Sequence, residues 1–214
     1  MKFVRNINIF TMTDFIRFFI PFYFILFFAV SFLVISIAVA RKIGKSPDVL
    51  PKDDSAYALV GWYFKLIMAA LFIYTFLFLL FPETMEEAFK IPLWEAEEVQ
   101  YAGIIMMILA FIWVIIAQCQ MRESWRIGID NQMKTELITH GLFQYSRNPV
   151  FLGMTVSLAG FFLVVPTAVT FLFLLVGSIV MQIQIRLEEE YLLKQHGPTY
   201  QSYKKRVGRM FRLY

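Results

Sequence analysis

Five long apolar runs alternate with polar segments along the chain, and this pattern predicts its elements. The runs cover residues 15–40, 57–81, 99–120, 150–165 and 167–185. A helix needs about 20 apolar residues to cross the hydrocarbon core of a bilayer, and the first three runs are long enough. Only Pro166 separates the last two, so we expect them to form a tight helical hairpin. The pattern therefore predicts an all-α, polytopic membrane bundle of about five transmembrane helices.

The composition agrees with a membrane protein. Of the 214 residues, 59% are hydrophobic and 17% are charged, whereas a soluble domain carries about 25% charged residues. The mean hydropathy is +0.63. We divide the chain into an N-terminal part, residues 1–120, with three spans, and a C-terminal part, residues 121–214, with the hairpin and a charged tail. The single cysteine, Cys119, excludes an internal disulfide, and we expect it to be a small buried residue.

Lysine and arginine residues are unevenly distributed among the polar segments. They number four in residues 41–54, four in 121–148 and seven from residue 186 onward, against one in 82–98. Because cytoplasmic loops are rich in Lys and Arg, the three basic segments are predicted to face the cytoplasm, and five spans then place the N-terminus outside. The net charge of +4 is explained in the same way, so nucleic-acid binding is not indicated.

A first polar cluster, Thr135–Gly153, precedes the hairpin. It begins as a short extended piece that a glycine turn ends. Pro149 then suits the first turn of a helix, and Asn148 is a candidate N-cap before it. The free N–H groups at such a helix end stabilise an anion, and Arg147 adds a full positive charge. As an alternative, Arg147 and Tyr145 are only anchors at the lipid interface.

A second polar cluster, Arg186–Glu190, ends the last apolar run. Arg186 and Glu190 are four residues apart and share a helix face, Glu189 lies on the neighbouring strip, and we expect Glu188 to point elsewhere. The simpler interpretation is a charged helix end with an intrahelical ion pair. Three acids beneath a negatively charged leaflet nevertheless indicate a cationic ligand nearby. We hypothesise that the two clusters meet at the cytoplasmic surface and form one site.

Other polar residues give weaker signals. Lys65 lies inside the second apolar run, and we favour a lysine that extends to the near interface over a buried functional charge. Trp125 and Arg126 are interpreted as interface anchors, with a cover over the site as the alternative. His140 and His196 have no partner at the spacing of zinc ligands, so no metal site is predicted.

The two clusters resemble the isoprenylcysteine carboxyl methyltransferase family and, more broadly, the membrane methyltransferases that include phosphatidylethanolamine N-methyltransferase. The family pattern is Leu-Val-Thr-x-Gly-x-Tyr, then Arg-His-Pro-x-Tyr-x-Gly, and later Arg with paired glutamates and Phe-Gly-x-x-Tyr-x-x-Tyr. The corresponding segments are Leu137-Ile-Thr-His-Gly-Leu-Phe143, Arg147-Asn-Pro-Val-Phe-Leu-Gly153, Arg186 with Glu189-Glu190, and His196-Gly-Pro-Thr-Tyr-Gln-Ser-Tyr203. Asn148 replaces the family histidine, and Phe143 and Phe151 replace two tyrosines, so no role that depends on that histidine's charge is implied here.

The resemblance implies S-adenosylmethionine as the methyl donor, held at the cytoplasmic face of the bundle. The residues implied to bind it are Leu137, Ile138, Gly141, Phe143, Tyr145, Arg147, Asn148, Pro149, Phe151 and Glu189. Glu189 or Glu190 is implied to hold its amino group, and Arg186, counted with Glu190 as catalytic, to face the acceptor. The acceptor is expected to be lipophilic and to enter from the lipid bilayer. An isoprenylcysteine-type carboxylate, a phospholipid amine and a thiol all remain open.

Two other functions compete with this interpretation. Membrane reductases of the sterol-reductase type use NADPH and show a similar Ser-Arg-His-Pro-Asn-Tyr stretch, which Ser146-Arg-Asn-Pro149 matches in part. The residues after the proline, Val150 and Phe151, do not fit that pattern. A membrane protein without enzymatic activity, whose charged ends are only anchors, is the third possibility. The methyltransferase is favoured because two separated motifs occur in the expected order.

Overall fold

The computed structural model describes residues 11–49, 53–91, 96–128 and 136–211. Expectations that concern the other residues, such as the start of the first polar cluster at Thr135, lie outside the described part. The described residues form helices joined by short connections and two isolated bridges. The α-helices are α1 (Met12–Phe28), α2 (Ile35–Ile43), α3 (Ala56–Leu80), α4 (Pro82–Glu87), α5 (Glu97–Met121), α6 (Pro149–Val164), α7 (Ala168–His196) and α8 (Pro198–Arg206). A π-helical turn, Ala29–Val34, joins α1 to α2 without a break.

The helical membrane bundle expected from the sequence is confirmed. Four described helices are long and apolar enough to cross a membrane: Met12–Ile43, Ala56–Leu80, Glu97–Ser124 and Ala168–His196. The fifth apolar helix, α6, has 16 residues and is therefore about 24 Å long. Many large apolar side chains point outward from these helices, as lipid-facing positions require, among them Phe22, Leu33, Ile73 and Leu109.

One detail of the sequence-based prediction is wrong, and one helix extends beyond its apolar run. The fifth apolar run ends at residue 185, but α7 continues through the second polar cluster to His196, because the polar residues that follow are good helix formers. Cys119 was expected to be buried, whereas it is exposed on α5. The neighbouring Gln118 is the buried polar residue there, and its side-chain amide donates to the carbonyl of Ser31 in the π-helical turn at 3.1 Å.

Backbone hydrogen bonds sort the connections onto two faces of the bundle. On one face, which we call the site face, Val49 donates to the carbonyl of Ile127 at 3.0 Å. On the opposite face, Ile91 donates to the carbonyl of Pro166 at 2.9 Å. The Arg17 side chain donates to the carbonyl of Leu79 at 2.6 Å, so α1 begins on the face opposite the site. The described parts of the basic segments 41–54 and 121–148 therefore lie on one face, and those of segment 82–98 and the Pro166 turn on the other, as the distribution of Lys and Arg predicted.

Glycines allow α5 and α6 to pack in direct backbone contact. A Cβ added to Gly160 would lie 2.8 Å from the carbonyl oxygen of Gly103 and 2.7 Å from Cγ of Met107. A Cβ added to Gly153, seven residues closer to the start of α6, would lie 2.5 Å from Cγ2 of Val114. Small residues permit such close approach between membrane helices. This contact fixes where the start of α6 lies relative to the end of α5.

Candidate functional site

The start of α6 has the predicted Pro149 at its first position and Asn148 at the N-cap. The Asn148 side chain, however, does not cap the helix, since its Nδ2 donates to the carbonyl of Arg209 at 2.9 Å. Its backbone N–H donates instead to the hydroxyl of Ser146 at 3.1 Å. Helix geometry leaves the N–H groups of Val150 and Phe151 without intrahelical acceptors. These two N–H groups can therefore donate hydrogen bonds to an anion.

The structure brings the two polar clusters into contact through Glu189. The guanidinium of Arg147 donates to Glu189 Oε1 at 2.7 Å, and the side chains of both residues are almost fully buried. Arg209 donates to the other oxygen, Oε2, at 2.9 Å, and the Glu189 carboxylate raises the pKa of that guanidinium. Both carboxylate oxygens of Glu189 therefore bind arginine. The residue connects α7 to the start of α6 and to the C-terminal segment.

Residues 203–209, which we call the C-terminal strap, are hydrogen-bonded to the segment just before α6. Arg147 donates from Nη1 to the carbonyls of Lys204, at 3.1 Å, and Val207. Tyr203 donates its hydroxyl to the carbonyl of Phe143 at 2.6 Å, and burial raises the pKa of that phenol. Burial and the nearby charge of Glu189 raise the pKa of Tyr200 to about 12. Both phenols therefore stay protonated at neutral pH.

The predicted glycine turn is present at Gly141, whose φ of +61° lies in the region that favours glycine. A Cβ there would also lie 2.5 Å from the side chain of Gln120. Gln120, at the end of α5, accepts from the backbone N–H of Leu142 at 2.8 Å. This contact holds the segment that leads to Phe143 against α5. The sequence analysis had not assigned a role to Gln120.

A cavity of about 460 Å³ opens at the site face. It lies between the π-helical turn, α3, the start of α6 and the polar end of α7. The segments 124–128 and 136–138 also contribute to its wall. Seven of the residues predicted to bind the donor line it: Leu137, Ile138, Phe143, Arg147, Asn148, Pro149 and Phe151. The N-terminal end of α6 thus forms part of the cavity wall.

Five predicted site residues do not line the cavity: Gly141, Tyr145, Arg186, Glu189 and Glu190. Tyr145 is 59% exposed. Arg186 and Glu190 are exposed on α7. Arg186 donates to the carbonyl of Gln182, one turn earlier, at 2.9 Å.

Glu188 lines the cavity, although the sequence analysis expected it to point elsewhere. Its Oε1 accepts from the side-chain amide of Gln184 at 2.8 Å. Gln184, Glu188 and Leu192 all line the cavity, and their spacing of four residues defines one face of α7. This spacing is visible in the sequence and could have identified Glu188. Glu188 does lie on a different helix face from Arg186, as expected, but the face of Arg186 is the one that is exposed.

Trp125 and Arg126 also line the cavity, as the alternative interpretation of these residues had proposed. The Trp125 side chain is 6% exposed, and its indole N–H has no acceptor among the described residues. Lys65 lines the cavity from α3 and is at the same time exposed. No group of three His, Cys, Asp or Glu side chains that could hold a metal ion is present in the described part of the chain.

Nearly half of the chain is similar to a known protein family. Residues 99–199 match the family model described as phospholipid methyltransferase, which confirms the resemblance found in the motifs. The match begins in α5, includes the cavity-lining residues of α6 and α7, and ends at the start of α8. No curated protein matches the chain. The segment from α5 to the start of α8 is thus similar to the phospholipid methyltransferase family, and this match supports a membrane methyltransferase.

Proposed function

We propose that this protein transfers a methyl group from S-adenosylmethionine to a lipophilic acceptor in the cavity at the site face. The proposal rests mainly on the cavity, where the start of α6, a carboxylate of α7 and several aromatic rings converge within the family-matched segment. The high density of Lys and Arg in the connections of this face favours a cytoplasmic location for it.

The residues of the cavity fit such a methyl donor. A volume of about 460 Å³ lies within the usual range for small-molecule sites. The N–H groups of Val150 and Phe151 suit a carboxylate, whereas the carboxylate of Glu188 suits an ammonium group. The unpartnered indole N–H of Trp125 suits a polar atom of the donor. The proposal gives the amino group to Glu188 because Glu189 already binds two arginines.

The protein's contribution to the reaction is to position the two reactants. S-adenosylmethionine supplies a methyl group that its sulfonium already activates. Phe143 and Phe151 line the cavity, and a cation–π contact of the sulfonium with such a ring would contribute about 0.5–2 kcal/mol. The Arg147–Glu189 ion pair holds the start of α6 against the polar end of α7. A fixed geometry of approach between the two reactants lowers the reaction barrier by several kcal/mol. No strong base is required for a carboxylate or thiolate acceptor.

An apolar extension of the cavity is suited to the acceptor. A second space, of about 50 Å³, lies between α1, α3, α6 and α7 and shares Phe64, Met68 and Met154 with the main cavity. Its wall is almost entirely apolar. The apolar wall formed by these shared residues therefore suits part of an acceptor's hydrocarbon chain beside the proposed donor site.

Calorimetric titration of the detergent-purified protein tests the proposal. We expect S-adenosylhomocysteine, the product of the donor, to bind, and NADPH to give no saturable heat. Labelled methyl transfer from the donor into a lipid extract then identifies the acceptor. Binding of NADPH together with no binding of S-adenosylhomocysteine would favour the reductase and contradict the proposal.

A further inference from the structure

Lys65 occupies an unusual position for a lysine. It lies in α3, a candidate membrane span, nine residues after Ala56 and hence about 14 Å along the helix axis. Charged residues within membrane spans commonly mark the path or site of a ligand. Lys65 lines the cavity, but α3 lies outside the family-matched residues 99–199. The family match therefore assigns it no role.

The surroundings of Lys65 leave its ammonium group available. Ion pairs at the site face involve Glu189 with Arg147 and Arg209, and none of the ion pairs between described residues includes Lys65. Glu188, the cavity carboxylate of α7, is hydrogen-bonded to Gln184 instead. A lysine beside a cavity, without a carboxylate of its own, is suited to an external anion.

The aromatic residues before Lys65 place it near the lipid headgroups. Trp62 and Tyr63 are 57% and 43% exposed on α3, and exposed Trp and Tyr residues concentrate at the membrane interface. Lys65 follows within one turn, so its ammonium lies at about the depth where lipid headgroups end. An anion bound there would belong to a molecule that is partly in the membrane.

The residues that flank Lys65 provide the apolar side of the same site. Phe64, just before it, and Met68, three residues after it, line both the main cavity and its apolar extension. Phe24, Phe27 and Phe28 of α1 continue this apolar wall. A hydrocarbon chain in the extension would therefore have its polar end close to Lys65.

From this arrangement we infer that Lys65 is the residue that selects the methyl acceptor, and that the acceptor is an anionic amphiphile. Its carboxylate or phosphate pairs with the Lys65 ammonium, and its hydrocarbon chain lies along Phe64 and Met68. The inference rests on the proposed methyltransferase function, and it narrows the acceptor class. Neutral amphiphiles and small soluble anions meet only one of the two requirements.

Binding measurements on the full chain in an uncharged detergent test this inference. Oleate, oleyl alcohol and acetate are titrated into the wild type and into Lys65→Gln, Lys65→Arg and Lys42→Gln, the last of which removes an exposed lysine of α2. We expect Lys65→Gln to weaken oleate binding about tenfold and to leave oleyl alcohol unchanged. Lys65→Arg, which keeps the charge, and Lys42→Gln are expected to bind oleate like the wild type.

The same samples are titrated with S-adenosylhomocysteine, which Lys65→Gln should bind normally. Wild-type oleate affinity in Lys65→Gln, or an equal loss in Lys42→Gln, would overturn the role of Lys65. Acetate that binds as tightly as oleate would overturn the membrane amphiphile in favour of a soluble anion. If the wild type binds oleate through Lys65 but does not bind S-adenosylhomocysteine, the proposed function fails while the anion site stands.

Discussion

At the scale of single residues, Glu189 joins the two polar clusters and the C-terminal segment. Its carboxylate binds Arg147 and Arg209, which lie 42 and 20 residues away along the chain. The structure also distinguishes three consecutive glutamates by environment: Glu188 lines the cavity, Glu189 is buried in ion pairs and Glu190 is exposed.

Replacing Glu189 tests its structural role. Glu189→Ala leaves the buried guanidinium of Arg147 without its anion, which should cost about 3 kcal/mol of stability. For a chain of this size, this corresponds to a decrease of about 5–10 °C in the thermal midpoint measured in detergent. Glu190→Ala, next to it and exposed, serves as the control and should change the midpoint little. Equal midpoints for the two variants would show that the Arg147–Glu189–Arg209 contacts do not stabilise the fold.

The phenol of Tyr200 gives a prediction about pH. Its pKa is about 12 in the folded protein, against 10.0 for a free tyrosine, so the neutral form is favoured by folding. The resulting stabilisation is complete below pH 10 and is lost as the pH rises toward 12. We expect the decrease in thermal midpoint between pH 10 and 12 to be smaller in Tyr200→Phe than in the wild type. The exposed Tyr145→Phe should follow the wild-type curve, and a Tyr200→Phe curve that does so too would contradict the prediction.

At the scale of helices, the sequence was most informative where the membrane imposes the structure. A backbone in hydrocarbon must satisfy its own hydrogen bonds, so long apolar runs become helices with little ambiguity. The first four predicted runs agree with α1–α2, α3, α5 and α6 to within a few residues. The second polar cluster was expected to be helical, but the full length of α7, to His196, was not predicted, because the hydropathy pattern marks the end of the membrane span and not the end of the helix. The α5–α6 contact through Gly103 and Gly160 was also not predicted, since it depends on which helices become neighbours.

Gly160→Ala tests this helix contact. The new methyl group would meet the backbone oxygen of Gly103 and the side chain of Met107, neither of which can move without separating α5 from α6. We expect a loss of about 1–3 kcal/mol, measured as a lower thermal midpoint. Gly177→Ala is the matched control, since its methyl group would meet only the flexible tip of Leu158. A midpoint for Gly160→Ala equal to that of Gly177→Ala would contradict close packing of these helices.

At the scale of the whole molecule, the chain places its charge and its cavity on the same face. The basic connections, the start of α6, the polar end of α7 and the C-terminal strap all lie there. The motifs predicted most of the residues contributed by α6 and the segment before it. They could not predict Lys65, because it enters the cavity only when α3 packs beside α6. Glu188 could have been identified from its four-residue spacing to Gln184 and Leu192 on α7. The proposed function places the methyl donor against the polar wall of this cavity and the lipid acceptor against the neighbouring apolar wall.

The most direct test of this account compares two glutamates that are two residues apart. S-adenosylhomocysteine is titrated into the wild type, Glu188→Gln and Glu190→Gln by calorimetry. Because Glu188 lines the cavity and Glu190 does not, we predict that Glu188→Gln weakens binding about tenfold or more and that Glu190→Gln stays within about twofold of the wild type. Unchanged affinity in Glu188→Gln, with a loss in Glu190→Gln, would contradict the placement of the methyl donor in this cavity.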